Sequence, residues 1–280
     1  MRNSLSDRKV GLALSSGAAR GLAHIGVLEI LEKEGIPVNM IAGTSMGAII
    51  GAMYAQDKNA GKIKEVALDL GWMELARMFA LTSPKTGLLS GRKIKARLKE
   101  IIGEVDFTDL RIPFACVATD IVTGEEVVIK HGPVLEAVIA SMSLPVIFRA
   151  ARWHGRYLLD GGVVNPVPVS VLKDMSADFI IASNVIVKPV DRVRNNQPEA
   201  DMQQHTGKVK EPNIFNIMMQ FVNITSYQAV KSSLNGADVV IRPSVADIGF
   251  SDFKNARECI FQGELAAKAS MPEIKQLMAD

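Results

Sequence analysis

The 280-residue sequence is poor in several features whose scarcity narrows what it can do. It has two cysteines, Cys116 and Cys259. They lie far apart and each sits in an apolar stretch, so the expectation is two buried thiols; a disulfide scaffold and a cysteine metal cage are excluded. Lys and Arg number 32 against 30 Asp and Glu, a net charge of +2, and no run of them offers a phosphate-tracking surface. Nucleic acid is therefore not an expected partner. Residues 1–9 are polar and lack the apolar core of a secretory signal, which points to a cytoplasmic protein, with transient contact to a membrane surface as the alternative to fully free diffusion. What is abundant is hydrophobicity: 48% of residues are apolar, enough to bury a large core and incompatible with disorder.

Residues 35–56 contain no charge and would register as bilayer-length in a hydropathy window. Gly43, Gly47 and Gly51 even recur at the four-residue spacing of transmembrane packing motifs. Pro37, Asn39, Thr44 and Ser45 interrupt the run, and residues 38–42 read as a strand entering a turn. Buried parallel strands are also near-continuous apolar runs, so we read strand, turn and helix instead of a span.

That reading fits a wider alternation. A β-compatible run at residues 9–14 ends in the small-residue loop Ser15-Ser16-Gly17-Ala18-Ala19-Arg20-Gly21. Leu22, Ile25, Leu28 and Leu31 then recur at helical spacing until Gly35-Ile36-Pro37. A strand at 38–43 and a helix at 46–55 repeat the unit, which implies a largely parallel sheet with helices on both faces. Residues 61–103 are mostly helical, broken by the turn-rich stretch ending at Gly87. Strands follow at 113–119 and 125–130 around Val122-Thr123-Gly124, then a helix at 134–141, a short strand at 156–159 and a β-rich run at 178–187. Residues 188–212 carry three prolines and no aromatic residue, the composition of a mobile surface loop. A helix at 214–234, a strand at 238–242 and a helix at 252–269 close the chain. We expect one domain over 1–280, with 213–280 as its C-terminal helix-strand-helix part.

Three elements could carry chemistry. The first is Gly43-Thr44-Ser45-Met46-Gly47, a G-x-S-x-G pentapeptide where a strand meets a helix. A nucleophile on such a turn exposes its hydroxyl while flanking glycines relieve backbone crowding, and the helix N-terminus behind it favours negative charge. A plain tight turn has the same local pattern. The second is the loop Ser16 to Gly21, whose backbone N–H groups at a helix start are what a tetrahedral oxyanion requires. Neither the dinucleotide fingerprint nor the P-loop is matched there. The third is Asp160-Gly161-Gly162, after the apolar Tyr157-Leu158-Leu159 and before Asn165-Pro166-Val167-Pro168; taken alone it is a turn.

Together these three resemble the patatin-like phospholipase family of serine lipid hydrolases, in family order and spacing over most of the chain. The segment Ala140-Ser141-Met142-Ser143-Leu144-Pro145 is similar to a family segment too. The resemblance implies a three-layer α/β fold and a catalytic dyad of Ser45 as nucleophile and Asp160 as base, without histidine. It also implies an oxyanion hole from the N–H groups of Gly17 and Ala18, with Arg20 steadying the loop and Gly43, Gly47, Gly161 and Gly162 supporting the motifs. Ser15, Ser16 and Ala18 depart from the more glycine-rich loop of the family. The activity implied is phospholipase A or lysophospholipase, acting on a lipid or small ester without metal or organic cofactor. The alternatives are a non-catalytic lipid- or protein-binding protein and an acyltransferase. Oligomeric state is not legible.

Residue chemistry agrees with that assignment. A carboxylate at its ordinary pKa of ~3.9 is a weak base for a serine hydroxyl, so Asp160 must be held close and partly desolvated. Of the four histidines, only His205 follows Asp160, the order a Ser-Asp-His triad needs, and it falls in the expected mobile loop. Two apolar stripes, Trp72 to Phe79 and Ile214, Ile217, Met218, Phe221, read as core-facing, with a cover over acyl chains or a membrane contact as the functional alternative.

Overall fold

The computed structural model describes residues 8–69, 87–144, 150–188 and 214–279. Its strands are β1 (Val10–Leu14), β2 (Met40–Thr44), β3 (Phe114–Asp120), β4 (Glu126–Ile129), β5 (Ala151–Trp153), β6 (Arg156–Asp160), β7 (Phe179–Ser183) and β8 (Val239–Ile241). The helices, renumbered consecutively, are α1 (Ala23–Lys33), α2 (Met46–Asp57), α3 (Ala60–Leu68), α4 (Gly87–Ile102), α5 (Val134–Ser141), α6 (Val169–Asp174), α7 (Ile214–Ser233) and α8 (Ala256–Ala279).

The strands form one sheet in the order β5-β6-β3-β2-β1-β7-β8, with β4 also on β3. From β3 through β2, β1 and β7 to β8 every pairing is parallel. The pairings of β4 and β6 with β3, and of β5 with β6, are antiparallel. The sheet is therefore mixed, parallel through its centre and antiparallel at one end. The short crossing from β5 to β6, through His154 and Gly155 at positive φ, can only make a hairpin.

Side chains alternate between two cores, as the period of a strand requires. Leu12, Leu14 and Ile41 join α1, α2, α5 and α8 on one face. Ala13, Ala42, Ala115 and Val117 join α6 and the α7 residues Tyr227 and Val230 on the other. The central strands β1 and β2 are buried along their whole length, which is why their sequences are continuously apolar. This is the expected three-layer α/β architecture.

The uncharged run 35–56 holds the strand, turn and helix expected of it, β2 followed by Ser45 and α2, and no helix among the described residues is long and apolar enough to cross a membrane. Other expectations are corrected. Strand β5 and helix α6 had no counterpart in the pattern reading, because three and six residues are too few to show a period. The β-rich run at 178–187 is extended strand only to Ser183, and Gly87 opens α4 instead of closing a turn. The last helix runs ten residues past 269, through Pro272. Proline costs one backbone hydrogen bond there, and the continued burial of Met271, Ile274 and Met278 offsets it. Cys116 and Cys259 are free and buried. The stripe at 72–79, His205, and the expected mobile loop beyond Lys188 lie outside the described residues.

Candidate active site

Ser45 stands between the last residue of β2 and the first of α2, with φ 56° and ψ −116°. This is a region an L-residue occupies only under constraint. The constraint is close packing: a Cβ on Gly47 would lie 2.2 Å from the Leu14 carbonyl oxygen, and one on Gly43 would lie 2.4 Å from that of Gly47. The glycines at both ends of the pentapeptide thus let β1, β2 and α2 meet. The turn is then pinned by two hydroxyls: the Ser45 N–H donates to Ser141 Oγ at 2.9 Å, and Thr44 Oγ1 donates to the Asn165 carbonyl at 2.9 Å.

Asp160 is the last residue of β6 and caps the single turn Gly161–Val163, its Oδ1 accepting from the Gly162 N–H at 2.8 Å. Its backbone is held on both sides, the N–H by the Ser143 carbonyl at 3.1 Å and the carbonyl by Thr119 Oγ1 at 2.9 Å. Gly161 packs so closely on β3 that a Cβ would lie 2.2 Å from the Val117 oxygen. Asp160 is 2% exposed and Ser45 7% exposed, and their side chains are hydrogen-bonded to one another. Burial raises the Asp160 pKa from 3.8 to about 6, against the opposing pull of the hydrogen bonds from Ser45 and Gly162.

The loop after β1 supplies the third part. Ala18 opens a short 3-10 turn, Ala18–Leu22, at φ 48°, after Gly17 at φ 161°. The N–H groups of Gly17 and Ala18 have no hydrogen-bond partner among the described residues, while those of the next two residues are used: Ala19 donates to the Phe250 carbonyl and Arg20 to that of Gly17. Arg20 is buried and its Nε donates to the Ile248 carbonyl at 2.8 Å, so this side chain anchors the loop to the segment before α8.

The pocket beside Ser45 and Asp160 is lined on the loop side by Ser16, Gly17 and Ala18. Leu144, Ile186 and Phe250 add apolar surface, and Val222, Asn223 and Ser226 of α7 form the remaining wall. None of these lining residues is a histidine. Of the α7 stripe expected to face the core, Ile217 and Phe221 are exposed instead, and Val222, Asn223 and Ser226 are the residues of this helix that line the pocket.

Sequence reading missed the supports. The ring of His24, on α1, bridges Ser183 Oγ at 2.7 Å and the Ser15 carbonyl at 2.9 Å. Full burial lowers its pKa to about 4, so it is neutral: Nε2–H donates to Ser15 and Nδ1 accepts from Ser183. The Ser15 hydroxyl accepts from the Val185 N–H at 3.0 Å, so the serine that departs from a glycine-rich loop is what ties that loop to the end of β7. Ser141 was visible only as part of a longer segment. Its bond to a backbone 96 residues away left no local signal.

The sequence model of the family described as patatin-like phospholipase matches residues 12–173. An uncharacterized NTE family protein of Mycobacterium tuberculosis is 35% identical over 196 residues, 69% of this chain and 53% of that protein. The lysophospholipase NTE1 of Scheffersomyces stipitis is 29% identical over 275 residues, 92% of this chain and 18% of its own. The chain thus spans about half the length of the mycobacterial relative and less of the yeast one. Among solved structures, that of VipD from Legionella pneumophila aligns over 94% of this chain and 67% of its own at 12% identity, with a TM-score of 0.48. The matched region takes in the loop, the serine turn and Asp160 together, and the chain belongs to the patatin-like phospholipase family.

Proposed function

We propose that the protein is a serine acyl hydrolase of lipid esters, of phospholipase A or lysophospholipase type, working through a Ser45–Asp160 dyad. The observation that carries this reading is the hydrogen bond between the two side chains, with an aspartate whose burial holds its pKa at about 6. Such a carboxylate is mostly ionised at neutral pH, yet is more basic than an exposed one, which is what a general base needs.

The steps follow from that arrangement. Ser45 Oγ attacks the ester carbonyl carbon as its proton passes to Asp160, and the carbonyl oxygen becomes an oxyanion facing the free N–H groups of Gly17 and Ala18. Collapse of the tetrahedral intermediate breaks the bond to the alcohol, which leaves with the proton from Asp160. Water then gives a proton to Asp160 and attacks the acyl-enzyme; the second collapse frees the fatty acid as Ser45 regains its proton. No metal or organic cofactor takes part in these steps. An alcohol in place of water would give acyl transfer by the same chemistry. The family membership and the relative named a lysophospholipase support a lipid substrate, and exposed Ile217 and Phe221, on the helix whose Val222 and Asn223 line the pocket, support transient contact with a membrane surface.

The test is intact-protein mass after exposure to a fluorophosphonate. Wild type gains one adduct, Ser45→Ala gains none, and Asp160→Asn reacts far more slowly. A folded wild type that stays unlabelled in the presence of lipid and detergent overturns the hydrolase reading in favour of a non-catalytic binding protein.

A further inference from the structure

Asn223 is 7% exposed on α7, lines the pocket beside Ser45 and Asp160, and its Nδ2 is buried without a hydrogen-bond partner among the described residues. A buried amide donor with nothing to donate to is a cost to the fold, and folded proteins satisfy nearly all such groups. The nearest polar side chain on the helix is already engaged. Ser226, one turn further along the same helix face, donates to the Gly162 carbonyl at 2.7 Å, and Gly162 in turn donates to Asp160. These bonds tie Ser226 to the Asp160 side of the pocket, and Asn223, three residues before it and lining the same pocket, shares that helix face. Asp160 is where the leaving alcohol must collect its proton, so the acceptor that Asn223 lacks is to be found on the leaving group. Residue 223 also lies beyond the region matched to the family, 12–173.

We infer that Asn223 is a specificity-determining residue: its side-chain N–H donates to an oxygen of the leaving alcohol next to the scissile ester, so that the enzyme selects acyl esters of polyols, glycerol above all, over esters of simple alcohols. This rests on the serine hydrolase reading. The leaving oxygen of any ester meets Asp160, but only an alcohol with a second oxygen one or two carbons away can also satisfy Asn223. Rejection of substrates lacking that oxygen follows from the donor being left unpaired when they bind.

The experiment compares kcat/KM for two esters of one fatty acid, a monoacylglycerol and a propyl ester, in wild type, Asn223→Leu and Asn223→Ala, with the rate of fluorophosphonate labelling of Ser45 measured on the same preparations. The probe has no polyol leaving group, so its labelling rate reports an intact dyad and fold. The expected result is a wild-type preference for the glycerol ester of tenfold or more that shrinks to less than threefold in both variants, through loss on the glycerol ester, while propyl ester turnover and labelling stay within twofold. A wild type that labels and hydrolyses both esters equally overturns the role of Asn223 and leaves the dyad standing. Variants that keep the full preference, or lose both esters in parallel, overturn it as well. A folded wild type that neither labels nor hydrolyses either ester overturns the dyad and the inference with it.

Discussion

Ser45 and Asp160 sit at the same level of the sheet on opposite sides of one strand. Thr44 pairs with Val117 of β3 on one edge, so Ser45 follows at the level of Ala118, and Ala118 pairs with Asp160 on the other edge. β2 reaches that level running parallel to β3, and β6 reaches it running antiparallel. A one-residue slip in either register would turn the strand's side chains to the other face and separate the pair.

The first consequence is a pH profile. Only ionised Asp160 can take the Ser45 proton, and its pKa is about 6. We expect kcat/KM on a soluble ester to be level above pH 7 and to fall about tenfold per unit well below 6. Activity unchanged from pH 7 to 4.5 would contradict Asp160 as the base.

The same carboxylate costs stability. Because its folded pKa of about 6 lies above 3.8, the folded chain holds the proton more tightly than the unfolded one. The stabilisation from protonated Asp160 is complete below 3.8 and is lost as pH rises through 6. At neutral pH the ionised group therefore opposes folding by on the order of 3 kcal/mol at ~1.4 kcal/mol per pH unit. Asp160→Asn should remove that cost, less the bonds an amide makes poorly, and raise the Tm at pH 7.5 by several degrees, with little gain at pH 4. Equal Tm shifts at both pH values would count against it.

Backbone strain at Ser45 leads to a second stability difference. With φ at 56° and ψ at −116°, glycine suits the position better than any residue with a Cβ. Ser45→Gly should be more stable than Ser45→Ala by about 1–2 kcal/mol, although both lose the same hydroxyl. Thermal melts of the two inactive proteins side by side decide this.

Ser141 receives the Ser45 N–H inside a buried site. Ser141→Ala leaves that donor unpaired at a cost of about 1–3 kcal/mol, and labelling of Ser45 should slow because the turn is less firmly held. Ser141→Thr keeps the oxygen, and urea melts should show it recovering part of the loss.

His24 acts in the opposite pH direction from Asp160. Its folded pKa, about 4, lies below the ordinary 6.5, so its stabilising contribution is present above 6.5 and is lost as pH falls toward 4. His24→Leu breaks both of its bonds and should cost about 2–4 kcal/mol at pH 7.5. Urea melts at pH 7.5 and 5 should show the gap to wild type narrowing at the lower pH. A constant gap would mean the imidazole does not titrate as its burial dictates.

By itself the sequence determined what is local. The apolar strands β1 and β2, the turn around Ser45 with Gly43 and Gly47, and the cap Asp160-Gly161-Gly162 are each written in a handful of adjacent residues, because strand burial and tight turns select residue types within that span. The tertiary structure decided what depends on register and approach over long chain separations. That includes the antiparallel strands that carry Asp160 to the level of Ser45 and the burial that raises its pKa. It also includes the engagement of His24 and Ser141 with backbone elsewhere in the chain, and the presence of Asn223 at the pocket. A side chain's pKa and its hydrogen-bond partners are properties of what surrounds it, and those surroundings are assembled from segments whose order along the chain carries no record of their meeting.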